Sequence, residues 1–170
     1  MPNWVSHKIT CTGSKNILEQ LLQGITTTEN NDTFIDFNRI IPMPALVFDG
    51  ALTSEQKDKM PNRNWYEWSL KHWGTKWNAC HSKIGKITSE TLIIYFDTAW
   101  SLPEPVLEQL AWLFPELRFD ILYIEEGCSF AGHMTFEKGA LKNSAEMECG
   151  EDNPDFIELY KQVYDADIDE

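Results

Sequence analysis

Polar and apolar residues alternate from Trp4 to Thr12, with Val5, His7, Ile9 and Cys11 on one face and Trp4, Ser6, Lys8 and Thr10 on the other. A period of two predicts a strand. After Gly13 the period changes. Ser14 stands at a helix N-cap position, and Ile17, Leu18, Leu21, Leu22 and Ile25 recur at the spacing of one helical stripe. Phe34 to Ile41 alternates again and ends at Pro42 and Pro44, so the first part reads strand, helix, strand.

The same order returns with stronger signals. Thr91 to Phe96 is apolar on both faces and β-branched, as a strand with neighbours on each side requires. Ser101 and Glu104 have the spacing of a capping box, with Pro103 in the first turn. Val106, Leu107, Leu110 and Phe114 then form a buried stripe that Pro115 ends. Phe119 to Glu125 predicts the next strand, and Gly127 permits a turn into an added hairpin strand from Ser129 to Phe136. Two strand-helix-strand units in tandem predict an α+β, ferredoxin-like split β-α-β sandwich. Both helices should cover one face, and the first strands of the two halves should lie side by side.

Residues 42–86 read as an insertion between the halves, with a short helix capped within Thr53–Gln56 and another from Asn64 to Trp73 that ends at Gly74. Lys138 to Asn153 is polar and small. Pro154 opens an amphipathic segment with Phe156, Ile157, Tyr160, Val163 and Tyr164, followed by a tail expected to fray. Residues 1–170 thus read as one domain with an acidic helix and tail at 151–170.

Composition adds three constraints. With 170 residues and 42% apolar content, the chain can bury a core without disulfides, metal or partner. There is no apolar run long enough to span a membrane, and Met1-Pro2-Asn3-Trp4 does not start a secretory signal. Cys11, Cys80, Cys128 and Cys149 are scattered without CxxC spacing, which reads as a reduced, cytoplasmic protein with small buried thiols. Acids outnumber bases 27 to 14, a net charge of −13, and Glu151 to Glu170 holds eight of the acids with one base. That field opposes direct nucleic-acid binding, because such affinity comes largely from Lys and Arg displacing counterions. It suits a partner protein with a basic surface.

Candidate chemistry gathers at two tryptophan-rich stretches, Trp73-Gly74-Thr75-Lys76-Trp77 and Asp97-Thr98-Ala99-Trp100-Ser101, on either side of the strongest strand. Trp73, Lys76, Trp77, Thr98, Trp100 and Glu125 are the candidate binding residues. The indoles could stack on a planar ligand with Lys76 on a phosphate, or they could staple the insertion to the strand end. Lys76 with Asp97 or Glu125 would form a loop-fixing ion pair. Cys80-His81, His7, His72, His133 and Cys128 lack zinc-like spacing. Cys11 and Cys128 occupy core and hairpin positions, poor settings for a nucleophile, and His7 shares the apolar face of its strand. Glu125 and Glu126 point to opposite faces, so they cannot share one substrate atom. No catalytic residue, metal or cofactor is assigned, and the balance of these features leans away from an enzyme.

Asn3-Trp4, Ile41-Pro42-Met43-Pro44, Trp73-Gly74-Thr75-Lys76-Trp77, Thr98-Ala99-Trp100-Ser101, Tyr123-Ile124-Glu125 and Phe130-Ala131-Gly132 together resemble the YubB-type (Api-like) ferredoxin-like domain of phages and conjugative plasmids, over about residues 3–137. The resemblance implies a ferredoxin-like fold and a mobile-element origin, and no established activity. His7 stands where the family commonly has asparagine, and Leu102 separates Ser101 from a proline that usually follows directly.

The leading expectation is a non-enzymatic protein-binding module of a mobile element, using its acidic surface and Trp-rich insertion on a host or element protein. A concrete form is an anti-defence or host-takeover inhibitor that occludes a basic nucleic-acid-binding site by mimicking phosphate charge. The alternative is a small-ligand or nucleotide site, even an enzyme, at Trp73, Lys76, Trp77 and Trp100. Either way Trp77 and Trp100 should meet in one cluster, with the insertion folded over the end of the central strand.

Overall fold

The computed structural model describes residues 2–61, 63–85 and 87–164. In chain order it contains β1 (Trp4–Thr12), α1 (Lys15–Ile25), β2 (Thr26–Glu29), β3 (Asp32–Ile35), a 3-10 turn (Phe37–Arg39), α2 (Ser54–Lys59) and α3 (Trp65–His72). There follow β4 (Cys80–Ile84), β5 (Thr91–Ala99), α4 (Glu104–Leu113), β6 (Arg118–Glu125), β7 (Ala131–Glu137), β8 (Ala140–Met147) and α5 (Pro154–Tyr164).

Six of these strands make one antiparallel sheet in the order β4-β5-β1-β6-β7-β8. The first strands of the two halves, β1 and β5, pair side by side from Trp4↔Ala99 to Thr12↔Thr91. This is the ferredoxin-like arrangement that tandem strand-helix-strand units predict.

Strand parity places the core. Ile9 and Cys11 of β1, Leu92, Ile94 and Phe96 of β5, and Phe119 and Ile121 of β6 are buried on one face under the stripes of α1 (Leu18, Leu21, Ile25) and α4 (Val106, Leu107, Leu110). Each fully buried aliphatic or aromatic side chain contributes about 1.5–3 kcal/mol, which explains why two short helices suffice. Ile124 is out of phase with Phe119 and Ile121, so it points to the opposite face. There, with Ala131, it receives Phe156, Leu159 and Val163 of α5. One face of the sheet is thus covered over its central strands by α1 and α4, and the other in part by α5.

Three local readings differ from the structure. The alternation over Phe34–Ile41 yields only the short β3, which pairs with β2 in a separate hairpin turned by Asn30 (φ 50°) and Asn31 (φ 71°). The Asp36 carboxylate then accepts from Asn38 N–H at 3.0 Å and starts the 3-10 turn. The sheet position beside β5 goes to β4, inside the 42–86 stretch. Second, the polar segment after Lys138 forms β8. Lys138 (φ 53°) and Gly139 (φ 76°) make the two-residue turn whose twist suits a hairpin, so ladder hydrogen bonds rather than apolar burial hold this strand. Third, Ser101 does not cap α4, whose N-cap position is held by Pro103. The helix predicted to end at Gly74 does form: Asn64 Oδ1 accepts from Glu67 N–H at 3.0 Å at its start, and Gly74 takes φ 79° after its end.

Among the described residues no helix is long and apolar enough to cross a membrane. The acidic tail expected to fray, residues 165–170, lies outside the described residues.

Candidate functional site

The two tryptophan-rich stretches are sewn together by hydroxyl-to-carbonyl bonds. Thr75 Oγ1 donates to Ala99 O at 2.9 Å, Ser101 Oγ to Gly74 O at 2.7 Å, and Thr98 Oγ1 to Ser101 O at 2.7 Å. Thr75 and Thr98 are fully buried, so these bonds satisfy hydroxyls that water cannot reach. The role of Thr98 is therefore to hold the 98–101 turn.

That turn forces Trp100 into the left-handed region at φ 67°, an uncommon conformation for a bulky residue, with its N–H donating to Asn3 O at 2.9 Å. The indole emerges 46% exposed. Its ring lies 5.5 Å from that of Trp77, and Lys76 Nζ sits 4.6 Å from the Trp77 centroid, 5.0 Å from Trp100 and 5.7 Å from Tyr66. The ammonium thus lies against three negative ring faces. Trp4 continues the row at 6.2 Å from Trp77 and 4.9 Å from His81, whose Nδ1 bonds Asp97 Oδ2 at 2.7 Å. His81 owes its position to a bulge in β4 and a φ of 49°.

Trp73 is elsewhere. It is 4% exposed, packs edge-on to Phe37 and Trp68 at 5.9 and 5.4 Å, and its Nε1–H donates to Ile41 O at 2.9 Å. Glu125 is also apart from Lys76. Burial alone would push its carboxyl up, but bonds from Ser129 N–H (3.0 Å), the Asn3 side chain and Gly127 N–H outweigh that and hold it below the usual range. It fixes the β6–β7 turn, and Asp97 is engaged by His81, so neither acid forms the ion pair with Lys76 that the sequence suggested. The structure therefore brings Lys76, Trp77 and Trp100 together, uses Thr98 beneath them, and separates Trp73 and Glu125.

Sequence reasoning missed Trp4, Tyr66 and His81 as members of this ridge. Trp4 had a signal: it opens β1 on the face opposite Val5, His7, Ile9 and Cys11. Tyr66 and His81 had none, because a helix position and a bulge bring them in.

The other chemistry is quiet. Burial pushes the Cys11 and Cys80 thiols up, for Cys80 with help from Asp97, which disfavours a thiolate at either. Among the described residues no group of three His, Cys, Asp or Glu side chains could hold a metal ion. His7 is a core residue stacked on Phe96 at 4.8 Å.

The family described as the ferredoxin-like domain in Api92-like protein matches residues 72–167, a span that contains Trp73 to Trp100 and Glu125 but not Trp4 or Tyr66. The crystal structure of protein api92 from Yersinia pseudotuberculosis is similar over 88% of this chain and 99% of that one, with a TM-score of 0.60 and 9% identity. At that identity the likeness concerns the fold alone. No curated protein matches the chain.

Proposed function

The chain belongs to the Api92-like family of ferredoxin-like domains, and from that premise we propose that it is a non-enzymatic protein-binding module. In this reading it is a YubB-type protein of a phage or plasmid that works in the cytoplasm. It engages a host or element protein with a basic surface, in an anti-defence or host-takeover role. The observation that carries the reading is Trp100: 46% exposed, held at φ 67°, and braced by Trp77 and Lys76. An aromatic group presented at a backbone cost, beside a cation whose side chain is already ordered, has the character of an interface anchor. The net charge of −13 supplies the long-range attraction to a basic partner.

The small-ligand alternative has less support. Lys76 occupies the place beside both indoles that a planar ligand would need. The groove of about 370 Å³ next to the ridge is lined by Trp100 but not by Trp73, Lys76 or Trp77.

The test is binding at preserved stability. With a partner recovered by affinity capture and then purified, Trp77→Ala with Trp100→Ala should weaken the complex by about 30-fold or more, the equivalent of one 2 kcal/mol anchor. Unchanged affinity would overturn the ridge as the interface. Saturable quenching of tryptophan fluorescence by a nucleotide would favour the ligand reading.

A further inference from the structure

Two of the cysteines that lie far apart in the sequence meet in the fold. Cys128 is exposed in the β6–β7 turn, in the left-handed region at φ 53°, and Cys149 lies half-buried just after β8. The β7–β8 ladder explains the meeting. Its register runs Gly132↔Glu146 and Ala131↔Met147, and extending it past the strand ends sets Ser129 opposite Cys149 with Cys128 beside them. Both cysteines line one cavity of about 500 Å³, together with Phe130 and Glu148, and Cys128 is close enough to act on the Cys149 thiol.

From this juxtaposition we infer that Cys128 and Cys149 are a redox modification site, forming a reversible disulfide by exchange with a low-molecular-weight disulfide of the glutathione type. Cys128 is the exposed thiol and attacks first. As its thiolate it bonds to one sulfur of the small disulfide, and the other half leaves as a thiolate that takes up a proton. Cys149 then loses its proton to solvent and attacks the Cys128 sulfur of the mixed disulfide, expelling the second small thiol. Two protein thiols are oxidised by two electrons, and one small disulfide is reduced to two thiols. Burial first, and then the neighbouring Cys128, push the Cys149 thiol up to about 11, which disfavours its thiolate and leaves the first attack to Cys128. Cys11 is fully buried in the core.

The bridge would join the β6–β7 turn to the approach of α5. That turn is connected to the ridge through Glu125, which bonds the Asn3 side chain, and Asn3 O, which accepts from Trp100 N–H. Oxidation would therefore stiffen the support of Trp100 without touching the indole. This inference does not depend on the protein-binding proposal.

The test uses the full chain in buffers of graded glutathione to glutathione disulfide ratio, followed by alkylation of free thiols and mass spectrometry. The wild type should lose two alkylatable thiols, with the peptides containing Cys128 and Cys149 linked. Its Tm should rise by about 5–10 °C, as expected for a bridge closing a loop of this length in a chain of this size. Cys149→Ser should retain a persistent glutathione adduct on Cys128, and Cys128→Ser should leave every remaining thiol alkylated. Four alkylated thiols in the most oxidising buffer, or a bridge to Cys80 or Cys11, would overturn the inference. The wild-type peptide map decides even if a serine variant does not fold.

Discussion

Trp73 and Trp77 flank the same short loop and do opposite work. Trp73 ends α3 as a core residue, edge-on to Phe37 and Trp68 and bonded to Ile41 O. Trp77 lies on the surface with Trp100, Lys76 and Trp4. The switch between them is Gly74. At φ 79° it turns the chain out of the helix, and a Cβ there would stand 2.8 Å from Pro105 Cδ and 2.9 Å from Leu102 O. The contrast teaches that aromatic density marks a place in the fold, while backbone geometry assigns each ring to packing or to presentation.

The sharpest way to break the comparison is to truncate both kinds of indole. Trp73→Ala should cost about 3–5 kcal/mol of stability, because a large cavity opens and the Ile41 carbonyl loses its donor. Urea titration measures it, and a loss below about 1 kcal/mol would remove Trp73 from the core. A matching contrast exists between histidines. His81 is exposed and paired with Asp97, whereas His7 is buried and its Nε2 has no partner among the described residues.

Burial lowers the His7 pKa from 6.5 to about 4, against the opposing backbone bonds to Phe96 and Val5. The unfolded chain therefore binds more protons than the native one between pH 6.5 and about 4. The stability linked to His7 is present above pH 6.5 and is lost as pH falls to about 4. The total is about 3 kcal/mol, at 1.36 kcal/mol per pKa unit. Comparing pH titrations of unfolding free energy for wild type and His7→Leu isolates it. Parallel curves across that window would mean that His7 does not titrate as a buried group.

Gly74→Ala should cost about 1–3 kcal/mol through backbone strain and the close approach to the 102–105 segment. It should also shift tryptophan fluorescence, since it disturbs the link between the two regions. An unchanged melting curve would show that the loop adapts freely. The smallest effect belongs to Trp100→Gly. Relief of a left-handed bulky residue, about 1–2 kcal/mol, offsets the lost ring contacts, so thermal unfolding should place the variant within about 1 kcal/mol of wild type. A drop as large as that of Trp73→Ala would make Trp100 a packing residue and erase the distinction.

The local patterns were informative where periodicity and burial agree. Val5, Ile9 and Cys11 of β1, the stripes of α1 and α4, and the double-faced β5 all appear on the faces that their spacing predicts. The meeting of Trp77 with Trp100 was also legible, because the apolar run ends abruptly at Asp97 with aromatic residues dense on both sides of the strand. The separation of Trp73 and Glu125 from that pair was not. Both depend on bonds to partners remote in sequence or on turn geometry, Ile41 O for one and the Asn3 and Ser129 donors for the other.

The sequence by itself determined the periods of two and 3.6, and hence β1 with α1, the β5-α4-β6 unit, the core faces and the acidic charge, because each depends on the spacing or sum of local residues. Only the tertiary structure decided that Cys80–Ile84 takes the sheet edge, that Ala140–Met147 forms a strand without an apolar face, that Tyr66 and His81 join the ridge, and that Cys128 meets Cys149. The physical reason is shared. These features rest on ladder hydrogen bonds between distant segments and on positive φ angles at Asn30, Asn31, His81, Trp100, Cys128 and Lys138, which side-chain periodicity does not encode.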